Sequence, residues 1–104
     1  SSSGGAASVF SNYIINKGGV VYGAAVKEGG NVCHIRVDNS SDLYKLKGSK
    51  YVQSWILDSY KLVKKDLLEN KTVLFIGTPC QVAGLKNYIN NEISYVMEYH
   101  HNSF

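Results

Sequence analysis

Cysteine is scarce in this chain: Cys33 and Cys80 are the only two in 104 residues, and 47 positions separate them. Two thiols make no disulfide framework. They also cannot assemble an internal metal site, which needs closely spaced Cys and His ligands. His100 and His101 are adjacent, so on a strand they would point two ways, unlike a ligand pair. No apolar run reaches the roughly 18 residues that a membrane-spanning helix needs. No signal peptide is visible, so a reducing cytoplasm is the expected compartment. Charge of one sign is also lacking. The net charge of +3, from 11 basic and 8 acidic residues, is too weak and dispersed to argue for nucleic acid. Lys61, Lys64 and Lys65 lie close to Asp58, Asp66 and Glu69, which reads as a solvated helix face. There is no G-x-G-x-x-G fingerprint and no Walker A loop, and no internal repeat or domain linker.

What is present suits a globular protein. Hydrophobic residues make up 44% of the chain, enough for one small domain with one core. Eight tyrosines are many for this length, and several should line a surface or cleft. The chain opens on a Ser/Gly segment without Met, so a fragment of a larger domain is expected.

The pattern alternates between helix and strand. Val9, Phe10, Tyr13 and Ile14 fall at helical spacing and should pack on a sheet. Ser2 or Ser3 can cap that helix, and Gly18-Gly19 ends it. Residues 20–26 and 32–38 flank a glycine-bearing loop and predict a β-hairpin. Alternation in the second run turns Cys33, Ile35 and Val37 to the core, with Cys33 a buried structural thiol. It turns His34 and Arg36 outwards. Asn39 to Asp42 is a turn and cap cluster. A short helix over Leu43 to Lys47 follows, with Gly48 as its stop. The clearest helix spans Trp55 to Asn70, with Ser54 as N-cap and Ile56, Tyr60, Val63, Leu67 and Leu68 as its apolar stripe. A strand over 72–77, a helix over 79–89 and a last strand over 93–99 complete the pattern. Residues 100–104 read as a disordered tail beyond a domain of 1–99. The fold class is therefore α/β: a central, mostly parallel sheet with one β-hairpin and helices on both faces. Strand 72–77 is apolar almost throughout and should be central.

Three segments suit a phosphate-bearing or anionic ligand. Ser1 to Gly5 sits at a helix start, where small side chains and free N–H groups favour anions. Gly48-Ser49-Lys50-Tyr51 pairs phosphate-binding groups with a ring that can stack. Thr78-Pro79-Cys80-Gln81 follows a strand and begins a helix, at the edge where open α/β sheets bind ligands. Cys80 there offers a nucleophilic thiolate or a thiolate ligand for a metal or cluster. Each segment also has a plainer reading: a helix cap, an ordinary loop, and a capped helix with a small buried thiol. Pro79-Cys80-Gln81 resembles the nucleophile loop of cytosine C5 methyltransferases, but no glycine-rich methyl-donor loop or downstream acidic helper accompanies it.

Taken together, SSSGGAASVFSNYIINKGGVVYGAAV, HIRVDNSSDLYKLKGSKYVQS and KTVLFIGTPCQVAGLKNYI resemble the coenzyme F-420 hydrogenase/dehydrogenase beta-subunit family. The likeness runs from residue 1 to about residue 90. It implies a module of an oxidoreductase with two cofactors, FAD and a 4Fe–4S cluster. Such a module passes electrons between a ferredoxin-like domain or subunit, the flavin and a small-molecule redox substrate, in some members the deazaflavin F-420. By the resemblance, Ser2, Ser3, Gly4 and Gly5 lie near the flavin phosphates. Gly48, Ser49, Lys50 and Tyr51 hold more of the FAD, with Lys50 stabilising the reduced, anionic flavin. Cys80 ligates the cluster, and Thr78 and Gln81 shape its pocket. One departure stands out. Glu98-Tyr99-His100-His101-Asn102-Ser103 occupies the place of a Cys-His-Gly-Val-Pro-Ser type motif. The remaining cluster ligands are then expected outside this segment, which by itself should have little redox activity. The alternative expectation is a non-catalytic α/β module that binds a nucleotide or a partner.

Overall fold

A computed structural model describes residues 2–46, 56–90 and 93–98. The order of elements is helix α1 (Ser2–Asn16), strand β1 (Val20–Val26), strand β2 (Val32–Val37), helix α2 (Ile56–Leu68), strand β3 (Val73–Gly77), helix α3 (Pro79–Tyr88) and strand β4 (Tyr95–Glu98). The strands form one sheet in the order β2-β1-β3-β4. β1 pairs antiparallel with β2, parallel with β3, and β3 parallel with β4. The fold is thus α/β, with a mostly parallel sheet and one hairpin. β3 is central, and all five of its residues are buried.

Both faces of the sheet are covered. On one, Ile14 of α1 packs with Val21, Leu74 and Ile76, supported by Phe10, Ile15, Leu43 and Leu46. On the other, Tyr60 and Val63 of α2 and Val82 and Leu85 of α3 pack on Val20, Tyr22, Val73 and Phe75. The period-2 pattern of the strands therefore divides two cores rather than core from solvent. This corrects the reading of β2. Arg36 and His34 were expected outside, yet they share the face of Tyr22 and Ala24, their register partners on β1, against α2. Cys33, expected in the core, is only half-buried, because β2 is an edge strand with partial cover.

The helices also depart from expectation. α1 begins at Ser2, so Ser2 and Ser3 stand inside its first turn rather than capping it. Val9 is 72% and Tyr13 51% exposed, while Ser11 is buried. The helix presents its Phe10–Ser11–Ile14–Ile15 side to the sheet instead. In α2, Leu68 at the last turn is 75% exposed. The short helix before it is a 3-10 segment over Ser40–Lys45, capped by Asn39, whose side chain accepts from the Asp42 N–H. Its end is Leu46, which bridges Ala25, and not Gly48. Ser54 and Trp55, the expected start of α2, lie outside the described residues, as does the tail 100–104.

Asp66 was expected on a solvated face of α2. It is 3% exposed. The Tyr22 hydroxyl donates to its Oδ2 at 2.5 Å. Arg36 donates in a fork, from Nε to Oδ2 and from Nη2 to Oδ1, both at 2.9 Å. Lys71 Nζ stands 3.7 Å from Oδ1. Burial of a carboxylate costs several kcal/mol unless such partners surround it (about that order). Burial opposes ionisation of Asp66. The Arg36 and Tyr22 hydrogen bonds and the charges of Arg36 and Lys71 outweigh it, holding the carboxyl below its usual range. Burial first, then the bond to Asp66, pushes the Tyr22 phenol far up.

Asp66→Ala should destabilise the fold by about 3 kcal/mol, since it strands a buried hydroxyl and a guanidinium; urea unfolding measures this. The folded state keeps Asp66 ionised to lower pH than the unfolded chain does. The unfolded chain then binds more protons as acid is added, so this stability is present above about pH 4 and lost below it. The acid limb of the stability curve should flatten in the Asp66→Ala variant, and an unchanged limb would exclude Asp66 as its source.

Candidate functional site

β3 delivers the chain to Gly77 and the turn that opens α3. Thr78 is the N-cap, in extended conformation, and Pro79 is the first helical residue. The Thr78 N–H donates to Gln81 Oε1 at 2.9 Å, and the Gln81 N–H donates back to Thr78 Oγ1 at 3.4 Å. The Val82 N–H donates to the Thr78 carbonyl at 2.9 Å. Proline has no N–H, so Cys80 carries the remaining donor of this turn. The side chains of Thr78 and Gln81 are thus engaged with the turn itself rather than turned to a ligand. The Cys80 thiol is exposed and free.

The turn closes without spare room. A Cβ on Gly77 would meet Gln81 Oε1 and Phe75 Cε1, each at 2.9 Å. Glycine is needed here by the capping box and the Phe75 ring, not by the approach of a ligand. On the other side, the Tyr60 hydroxyl donates to the Gln81 carbonyl at 2.7 Å. It fits because residue 84 is glycine, whose Cβ would lie 2.8 Å from that oxygen. The second turn of α2 and the first turn of α3 are thereby tied together.

His34 is a member of this region that the sequence pattern missed. The β1–β3 ladder ends at Tyr22 and Phe75. Beyond it, His34 reaches across Ala24, its partner on β1. Its ring stacks on Phe75, with centroids 5.0 Å apart and planes 5° from parallel. Nε2 meets the Ile76 carbonyl at 2.9 Å. Since a carbonyl only accepts, Nε2 carries the proton. Burial pushes the His34 pKa down, and the Ile76 carbonyl opposes this weakly. The small Ala24 opposite a polar ring was the only sequence signal for this arrangement.

The other predicted segments point to the same edge. α1 feeds the amino end of β1, so its first turn, with Ser2, Ser3, Gly4 and Gly5, lies toward the carboxyl ends of β1 and β3. Gly48, Ser49, Lys50 and Tyr51 lie outside the described residues. Their flanks do not: Leu46 bridges Ala25 near the end of β1, and Ile56 opens α2, one turn before Tyr60. The topology therefore brings one helix start, both flanks of the 47–55 segment and the Cys80 turn to one edge of the sheet. This is the edge at which α/β sheets bind ligands.

The described residues contain no group of three or more His, Cys, Asp or Glu able to hold a metal. No described helix is long and apolar enough to cross a membrane. A concavity of about 440 Å³ lies at the opposite edge, bordered by Lys64, Lys71 and Tyr88. None of the predicted site residues borders it, and the ends of α2 and α3 meet there. No family model, curated protein or solved structure matches the chain.

Thr78→Ala should cost about 1 kcal/mol through loss of the cap. Thermal unfolding should show the loss, and Thr78→Ser should recover most of it.

Proposed function

We propose that this chain is part of a flavin- and iron–sulfur-dependent oxidoreductase. It would pass electrons between ferredoxin-type clusters, FAD and a small-molecule substrate, for which a deazaflavin such as F-420 is one candidate. The observation that carries the reading is the convergence at the carboxyl edge. There the first turn of α1, the flanks of the Gly48–Tyr51 segment and an exposed thiol at a helix start come to one edge of the sheet.

The fit of the cofactors differs. For the flavin, the α1 first turn supplies backbone N–H groups suited to phosphate oxygens, and Lys50 supplies a cation. For the cluster, Cys80 supplies one thiolate where about four ligands are needed, and the described residues do not complete the set. FAD supplies hydride and one-electron transfer when bound. What this chain's own residues contribute is placement. Thr78 and Gln81 lock the turn, Tyr60 fixes it to α2, and Cys80 is left facing outwards.

FAD titrated into the protein should lose fluorescence on binding, and Lys50→Ala should weaken that binding about tenfold, the worth of one charge-assisted hydrogen bond. In the polypeptide as the cell makes it, reconstituted without oxygen, Cys80→Ser should lower the iron content. Absence of FAD binding, or iron unchanged by Cys80→Ser, would overturn the corresponding half of the proposal. The self-contained capping box favours a second reading, a non-catalytic module that binds a nucleotide or a partner. That reading expects adenine nucleotides to bind as well as FAD, with no reducible flavin retained.

A further inference from the structure

His34 does more than fill space at the end of the β1–β3 ladder. With Nε2 donating to the Ile76 carbonyl, neutral Nδ1 is an acceptor, buried and without a hydrogen-bond partner among the described residues. Protonation would turn it into a buried N–H donor that faces no acceptor, which the packed position does not tolerate. The ring also touches the turn indirectly. It stacks on Phe75, whose edge would contact a side chain at Gly77, and Gly77 abuts Gln81 Oε1, the acceptor of the Thr78 N–H. Ring, Phe75, Gly77 and the capping box form a contiguous packed series.

We propose that His34 is a proton-operated wedge that holds the Gly77–Gln81 turn. Neutral, it fills the gap above Ala24 and caps the Ile76 carbonyl. Protonated, it withdraws from both, so the carbonyl loses its partner and the turn beside Cys80 loosens. Among the described residues, the titratable groups around it are engaged elsewhere or stay neutral. Arg36, two residues along β2, is engaged by Asp66. Tyr22 of β1 donates to the same carboxylate, and Tyr60 of α2 donates to Gln81. Both phenols are pushed up by burial and stay neutral through the acidic range. β3 sets Phe75 and Ile76 against the ring, neither of which titrates. Among the described residues it is burial, and not a neighbouring charge, that lowers the His34 pKa. The proposal needs no cofactor, so it stands or falls apart from the oxidoreductase reading.

The sign follows from the geometry. The closed state rejects the proton and the open state accepts it near the ordinary value of about 6.5. Below that pH the open fraction should grow about tenfold per pH unit, until the closed state itself protonates. The test is a pH titration of the isotope-labelled protein by nuclear magnetic resonance, from pH 8 to 5. The His34 ring should titrate below the ordinary value. Gly77 and Thr78 amide shifts should inflect at the same midpoint. Hydrogen-exchange protection of the Thr78 amide, corrected for intrinsic rate, should fall about tenfold per unit below pH 6.5, while that of Val73 stays level. His34→Gln keeps a donor for the Ile76 carbonyl and cannot titrate, so its turn amides should be pH-independent. A His34 ring that titrates at its ordinary value, or turn amides that ignore its titration, would overturn the proposal. The wild-type titration alone decides if the variant fails to fold.

Discussion

The buried Asp66 carboxylate is the constraint on which the rest of the architecture depends. It lies on α2, yet its partners come from β1 (Tyr22), β2 (Arg36) and the lead-in to β3 (Lys71). A charge in that position is tolerated only when all three elements meet around it. Hydrophobic burial pulls the same elements together without direction. The forked Arg36 bond adds direction, because it fixes where the hairpin stands relative to the helix. The edge of the sheet that carries the proposed site inherits its alignment from this point.

At that edge polar contacts take over between β1 and β3, while the ladders of β1 with β2 and of β3 with β4 continue. Parallel pairing of β1 and β3 ends after three residue pairs. From there the Ile76 carbonyl is served by His34, the Gln81 carbonyl by Tyr60, and the Thr78 N–H by Gln81. The first two bring in a side chain from another element, and the third comes from within α3 itself. Backbone groups released where strands part must find such partners. The consequence is a strand end whose geometry answers to residues far away in the chain.

Much of the architecture was legible in the sequence, because it rests on local signals. The hairpin came from a glycine loop between two apolar runs. The central strand came from unbroken hydrophobicity, and the start of α3 from Thr78-Pro79 directly after it. What was not legible depends on which partner an element meets. Val9 and Tyr13 share the helical spacing of Phe10 and Ile14, and only the angle at which α1 lies on the sheet separates them. Asp66 reads as solvent-facing beside Lys64 and Lys65 until Arg36 and Tyr22 stand opposite. His34 and Arg36 read as outward because alternation marks a face and not what covers it. For the candidate site, the Cys80 turn was visible as a motif. The engagement of Thr78 and Gln81 with each other, and the part of His34, required long-range contacts.

The capping box has a consequence for whatever binds beside it. A turn already satisfied by its own side chains pays no ordering entropy when a ligand arrives. Its shape is set before the encounter, and it has little capacity to adapt to a second, differently sized guest. Selectivity at Cys80 would then arise from rigidity: a partner that suits one fixed thiol position gains, and one that needs the thiol displaced must first break the Thr78–Gln81 pair.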